Sequence, residues 1–219
     1  IGIFVLDMQT YYGKIECTEL SNTDSFLNIF MKSNLLITLF IIVNVSVLKG
    51  QMILEYNTNL SDGTTIILPL SGTVDVSVNW GDGNVEQFTT AGNKTHSYTD
   101  GIYTVSISGT LTHFGNGNYG FAERLVRILD FGDIGLTDLS TACNNAVNLI
   151  EVPDQIPTTV TNLSSMFYNA DLFNQDISSW DVSNITDMSS MFSYADSFDQ
   201  PIGNWDVSNV TNMSQMFKY

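Results

Sequence analysis

From Leu136 onward the chain repeats itself, and no other feature restricts its fold as strongly. Val160-Thr161-Asn162-Leu163-Ser164-Ser165-Met166-Phe167 returns 25 residues later as Ile185-Thr186-Asp187-Met188-Ser189-Ser190-Met191-Phe192. After another 25 it returns as Val210-Thr211-Asn212-Met213-Ser214-Gln215-Met216-Phe217. Between these blocks Phe173, Ile177, Trp180 and Val182 match Phe198, Ile202, Trp205 and Val207. A degenerate earlier copy, one residue shorter, runs from Leu136 to Cys143 and puts Cys143 where Phe167 and Phe192 stand. A period in the twenties with apolar residues at fixed offsets implies a solenoid, in which each unit buries its apolar face only against its neighbours.

Within one unit Met188, Met191, Phe192 and Ala195 fall at i, i+3, i+4 and i+7, the spacing of one helix face. A short helix with Thr186 as its N-cap is expected there, and a short strand or extended turn over Ile177, Trp180 and Val182 on the opposite wall. Asn, Asp, Ser and Thr also recur in register, so their side chains can stack in ladders that satisfy the turn backbones. The repeated Met and Phe side chains suit a packed core better than a greasy ligand groove. Cys143 is expected to be core for the same reason.

Residues 51–112 read differently. Met52, Leu54 and Tyr56 alternate, Thr65 to Leu70 is largely apolar, and Val74, Val76, Val78 and Trp80 share one face. Trp80-Gly81-Asp82-Gly83 reads as a tight turn, and Tyr103, Val105 and Ile107 alternate again. Roughly five or six short strands in about 60 residues suggest a compact antiparallel sandwich. Asp82 reads as a turn former rather than a metal ligand, and His96 as a packed strand-end residue rather than a base.

Two resemblances follow from these residues. Trp80-Gly81-Asp82-Gly83, His96-Ser97-Tyr98 and Gly101-Ile102-Tyr103-Thr104-Val105 together resemble the PKD domain, an Ig-like module of extracellular proteins, over about a quarter of the chain. That resemblance implies a spacer or interaction module without catalysis. Trp180-Asp181-Val182-Ser183-Asn184-Ile185-Thr186-Asp187-Met188-Ser189-Ser190-Met191-Phe192, preceded by Phe173-Asn174-Gln175, resembles the BspA-like, DUF285-type surface-protein repeat. It implies leucine-rich-repeat-like units in a β/α solenoid with a surface or adhesive role, and it carries over no catalytic residues. The expected architecture is therefore a PKD-like β-sandwich over 51–112, a linker and N-terminal cap over 113–135, and 25-residue repeats over 136–219.

The first 50 residues read as targeting sequence. Met31-Lys32-Ser33-Asn34, the apolar run Leu35 to Leu48 and Lys49-Gly50-Gln51 follow the order of a signal peptide. A membrane anchor or a buried core segment is the alternative, although 14 apolar-run residues fall short of a span. Ile1 marks residues 1–30 as an upstream extension, and Met216-Phe217-Lys218-Tyr219, halting inside a repeat without a polar cap, points to a natural protein that continues. Loss of residues 1–50 would remove Cys17 and leave Cys143 alone, so no intramolecular disulfide is expected. It would also leave 19 acidic against 4 basic side chains.

The whole chain carries 23 acidic and 7 basic side chains, a net charge of −16. That balance repels nucleic-acid phosphates and anionic lipid surfaces, which are set aside as partners. Acidic residues recur in register, as Asp181 and Asp206 do, and the only basic residue after Arg127 is Lys218. Gly115-Asn116-Gly117-Asn118-Tyr119-Gly120 matches the dinucleotide fingerprint G-x-G-x-x-G, with Asp138 near the ribose-binding distance. The fingerprint needs βαβ units that the flanking sequence lacks, so no cofactor is expected. No esterase, zinc-protease or P-loop motif occurs, His96 and His113 are the only histidines, and neither catalytic nor metal-binding residues are expected. Pairing of Asp181 with Asp206 as acid and base is weaker than a turn-capping role, and the Asn162 and Asn209 sequons follow from the repeat.

The expected function is that of an exported or cell-surface binding protein, bacterial in origin and without a transmembrane span once mature. The solenoid would present a polar face to an extracellular protein or glycan. A non-binding structural stalk and a calcium-stabilised surface module are the alternatives.

Overall fold

The period-two runs of residues 52–114 form strands because their apolar side chains can all be turned to one face. A computed structural model describes residues 50–117 and 122–219. The expected extension and the signal segment, apart from Gly50, lie outside the described residues. The strands are β1 (Met52–Asn57), β2 (Thr65–Asn79), β3 (Val85–Phe88), β4 (Gly92–Ser97), β5 (Ile102–Phe114) and β6 (Leu125–Asp130). They pair antiparallel in the order β3-β2-β5-β1-β6, with β4 also on β2. Met52, Leu54, Tyr56, Ile66, Leu68, Leu70, Val76, Val78, Val105 and Ile107 are all buried on this sheet.

This is one open, mostly antiparallel sheet, and it corrects the expected sandwich. The run Thr65 to Leu70 and the strand through Val74, Val76, Val78 and Trp80, expected as separate, fall on one 15-residue β2 that ends at Asn79, just before Trp80. A register shift between Ser71 and Val74 joins them. The first half pairs with β4 and the second with β3, while β5 runs beside both, so one ladder continues where a sandwich would divide. Gly72 permits the shift: at φ +67° it sits so close to β5 that a Cβ would lie 2.3 Å from the Thr112 hydroxyl.

The β/α solenoid is corrected as well. Among the described residues the repeats contain no α-helix, and their only helical element is the short 3-10 turn Ile202–Asn204. The stretch expected as a helix is a run of tight turns. Met191 donates to the Met188 carbonyl (3.2 Å), Ser193 to Ser190 (3.2 Å) and Ala195 to Phe192 (3.1 Å), three residues back rather than four. Ser190 and Tyr194 have φ of 55° and 59°, and Ser165, Asn169, Thr141 and Asn145 repeat that left-handed pair in the other coils. A helix cannot propagate through a left-handed residue every fourth position. The intervening amides turn outward instead: Leu163, Ser165, Phe167 and Asn169 donate to Asp187, Ser189, Met191 and Ser193 of the next coil at 2.8–2.9 Å. Half the main-chain donors thus close turns and half join coils, which meets the requirement that buried amides be paired.

Successive turns still place residues at three- and four-residue spacing on one side. Met188, Met191, Phe192 and Ala195 are buried as the periodicity required. The stack is pinned by parallel bridges that link Asp138 to Asn162, Asn162 to Asp187 and Asp187 to Asn212. It begins inside the sheet: His113 on β5 bridges to Asp138 and Arg127 on β6 bridges to Glu151, so the end of β5 and β6 make the first coil. The segment 113–135, expected as linker and cap, therefore holds the end of β5 and all of β6. One cluster of buried apolar side chains runs from Met52 through Phe131 and Leu139 to Met216.

Candidate binding surface

Three polar features follow from this architecture, and the first is the front of the stack. Thr137, Thr161, Thr186 and Thr211 are exposed, one per coil. Each donates its amide to the threonine carbonyl one coil earlier, beginning with Thr112 on β5, at 2.8–3.0 Å. Thr186, expected as a helix cap, also donates its hydroxyl to the Thr161 carbonyl (3.1 Å), and Thr211 does the same to Thr186 (3.0 Å). The turn is capped one residue later. Asp138, Asn162, Asp187 and Asn212 accept the amides of Ser140, Ser164, Ser189 and Ser214 at 2.7–3.1 Å.

Those four residues alternate Asp, Asn, Asp, Asn, and each side-chain amide bonds the carboxylate one coil earlier. Asn162 donates to Asp138 (3.3 Å) and Asn212 to Asp187 (3.0 Å). Burial disfavours the Asp187 charge, yet hydrogen bonds from Ser189 and Asn212 keep its pKa below the ordinary carboxylate value. His113 starts the column. Its Nε2 lies 3.3 Å from the Ser140 hydroxyl and 3.7 Å from Asp138 Oδ1. Both neighbours meet the same ring nitrogen, so the imidazole cannot relay a proton between them as a serine-hydrolase histidine does.

The second feature is the aromatic cluster around Trp80, Gly81, Asp82, Gly83, His96, Tyr98, Gly101 and Tyr103, which the fold brings together. His96 stacks on Trp80 with centroids 4.7 Å apart, and Tyr98 packs against both His96 and Tyr103. Trp80 donates its indole N–H to Glu86 (2.8 Å), and Tyr98 donates its hydroxyl to the Trp80 carbonyl (2.8 Å). His96 Nε2 lies 2.8 Å from Asp82 Oδ2, and this hydrogen bond holds the Asp82 carboxyl down at about 2. Asp82 also accepts the Asn84 amide and so closes its turn. Gly81, at φ +81°, passes so near β5 that a Cβ would lie 2.3 Å from the Thr104 carbonyl oxygen. Every polar group in the cluster already serves the fold.

The third feature is a cleft in the stack's side wall. Between later coils that wall is closed by side chains: Trp180 donates to the Pro153 carbonyl (2.9 Å) and Trp205 to Ile177 (3.2 Å). Asn184 and Asn209 reach back to Thr158 and Ser183. One coil earlier the tryptophan position is Gln155, whose amide points the other way, to the Ser179 carbonyl (3.1 Å). The wall there opens into two adjoining clefts of about 450 and 430 Å3 that share Asp130 and Gln155. No sequence motif announced them. The one signal was Gln155 standing where the repeat alignment puts Trp180 and Trp205.

The remaining sequence-derived residues fall as follows. Met166, Phe167, Phe173, Ile177, Trp180, Val182, Met188, Met191, Phe192, Trp205 and Met216 are buried, and Phe198 and Ile202 partly so. Val207, Met213 and Phe217, on the last coil, are 40–50% exposed. Phe167, Phe192 and Phe217 stack in a column with centroids 5.5 and 5.7 Å apart. Cys143 is fully buried, and burial pushes its thiol pKa up. Asp181 and Asp206 are exposed and accept the amides of Ser183 and Ser208; hydrogen bonding to the serine side chains, and then to these amides, lowers both carboxyl pKa values.

Within the glycine motif, Gly115 packs against the Ser140 carbonyl and Gly117 donates to the Thr141 hydroxyl. The strand before them, β5, pairs antiparallel with β1 and β2. Among the described residues no three His, Cys, Asp or Glu side chains are grouped to hold a metal, and no helix is long and apolar enough to cross a membrane. Neither the curated proteins nor the solved structures give a match to the chain. Residues 137–219 match the family described as "Mycoplasma protein of unknown function, DUF285", so the repeats that build the stack are of the DUF285 type.

Proposed function

We propose that the chain is an exported or cell-surface binding protein in which the stacked repeats present a polar face to an extracellular protein or glycan. The antiparallel sheet then serves as the base from which the stack is displayed. The single observation that carries this reading is the front rank. Thr137, Thr161, Thr186 and Thr211 are exposed on a backbone whose own amides are paired from coil to coil. Such a rank offers repeated hydroxyls at the spacing of a β ladder, about 4.8 Å, without ordering cost on binding. Weak contacts repeated along it would add as in multivalent recognition.

The test is an immobilised panel of extracellular matrix proteins and glycans probed with the full chain and with Thr161→Val/Thr186→Val/Thr211→Val. Retention on at least one ligand, lost about tenfold or more in the triple variant, is the expected result. Retention that the variant leaves untouched, or no retention on any surface, would sink the proposal and favour a stalk.

A further inference from the structure

The corner at which each coil makes its second left-handed turn carries a different pair of residues in each coil. The pairs are Asn144-Asn145, Tyr168-Asn169 and Ser193-Tyr194, and the alanine that follows, Ala146, Ala170 or Ala195, is buried in all three. Backbone bonds align them: Asn145 donates its amide to the Tyr168 carbonyl (2.8 Å) and Asn169 to that of Ser193 (2.9 Å). On this frame the Tyr168 and Tyr194 rings meet edge to face, with centroids 5.5 Å apart. Beside them runs a chain of side-chain amides, Asn169 donating to Asn145 (3.1 Å) and Asn145 to Asn144 (2.6 Å). Its two ends, the Asn144 side-chain nitrogen and the Asn169 side-chain oxygen, make no further bond among the described residues.

Two observations set these tyrosines apart from packing residues. Both are half-buried, and their hydroxyls make no hydrogen bond among the described residues. Tyr98 and Tyr103, by contrast, donate theirs to backbone carbonyls at 2.8 and 3.2 Å, and phenylalanine serves for packing within the stack, as at Phe167 and Phe192. Tyr194 also stands at φ 59°, the position held in other coils by Asn145 and Asn169. Asparagine tolerates that conformation and a bulky ring does not, so the fold keeps a strained tyrosine where an asparagine would serve it better.

We propose that this corner binds a short stretch of a neutral glycan. The inference rests on the binding-protein reading, narrows its partner to a saccharide and places it at a corner separate from the front threonines. The tyrosine rings offer apolar surface to the C–H groups of a pyranose, and the open amides offer a donor and an acceptor to its hydroxyls. None of the corner residues from Asn144 to Tyr194 named above is charged, and the net charge of −16 repels anionic sugars. From Asn145 to Tyr194 the corner covers two ladder spacings, about 10 Å. That suits a sugar ring or two and falls well short of the roughly 800 Å2 that each side of a stable protein interface buries.

The test is an array of immobilised neutral oligosaccharides of gluco, manno and galacto configuration, with sialylated counterparts as reference, probed with the full chain. Retention on at least one neutral sugar in preference to its sialylated form is expected. Tyr168→Leu/Tyr194→Leu, which keeps apolar bulk at the corner, is expected to weaken it about tenfold or more, and Tyr168→Phe/Tyr194→Phe, which keeps both rings, less than about threefold. Shifts of the two tyrosine ring resonances, on titrating the retained sugar into the unaltered chain, read the same contact without relying on a variant to fold. No neutral sugar retained, equal retention of the sialylated forms, or equal binding by the Leu and Phe variants would overturn the proposal. Retention on matrix proteins without any sugar, or sugar binding lost only in Thr161→Val/Thr186→Val/Thr211→Val, would overturn the corner while leaving the binding-protein reading intact.

Discussion

At the scale of single residues the chain uses short polar side chains to hold turns, and the Asp82–His96 pair shows what that contributes. The Asp82 carboxyl is held at about 2, mainly by the His96 hydrogen bond, against a value near 4 when unfolded. A carboxylate depressed in this way adds stability above its unfolded pKa and loses it as the pH falls towards the folded value. Asp82 is exposed, so solvent screening limits the effect to about 1 kcal/mol or less. Asp82→Asn is therefore expected to lower the melting temperature by a few degrees at neutral pH, with the difference from the parent closing between about pH 4 and pH 2. A melting curve series across that window checks it, and a difference independent of pH would contradict it. The turn role was readable from Trp80-Gly81-Asp82-Gly83. The histidine partner was not, because residues 82 and 96 meet only once β4 folds back on β2.

At the scale of the element, burial was legible and conformation was not. Spacing of three and four places Met188, Met191 and Phe192 on one side whether the backbone is a helix or a chain of tight turns. Deciding between them needs the left-handed positions, and Ser165, Ser190 and Gln215 are not glycines, so nothing in their identity flagged φ near 55°. Ser190→Gly is expected to leave stability unchanged or raise it by up to about 1 kcal/mol, and Ser190→Val to lower it by about 1–3 kcal/mol. Chemical denaturation reads both; the reverse order is the helical outcome, because glycine costs a helix about 1 kcal/mol. The Asp138–Asn162–Asp187–Asn212 column supplies a second check. Asn162→Asp would set three carboxylates in line and is expected to cost about 1 kcal/mol at neutral pH. That penalty should fade as the pH drops below about 4 and the carboxyls protonate. A cost that persists in acid would mean the amide geometry matters and the charge alternation does not.

At the scale of the molecule, sheet and stack share a coil and a core. The resemblances marked two regions, but neither could show that β5 ends as the first front of the stack, since His113 and Asp138 carry no common motif. The sandwich expectation failed for a related reason. Alternation identifies strands and says nothing of whether one long strand or two short ones span a glycine such as Gly72. Because Leu111 donates to Ile134 and Thr112 accepts from Thr137, unfolding of the sheet should remove the seat of the stack. Val78→Asp in the sheet is thus expected to unfold the repeats too, read as loss of protection at the Phe167 amide in hydrogen exchange. Repeats that keep their protection would show two independent units.

The decisive measurement is the set of hydrogen-bond scalar couplings from the amides of Leu163, Ser165 and Phe167 in isotope-labelled protein. Couplings to the carbonyl carbons of Asp187, Ser189 and Met191, 24 residues ahead, are expected. A coupling from Phe167 back to Leu163 in their place would restore the helix and contradict a stack built from turns.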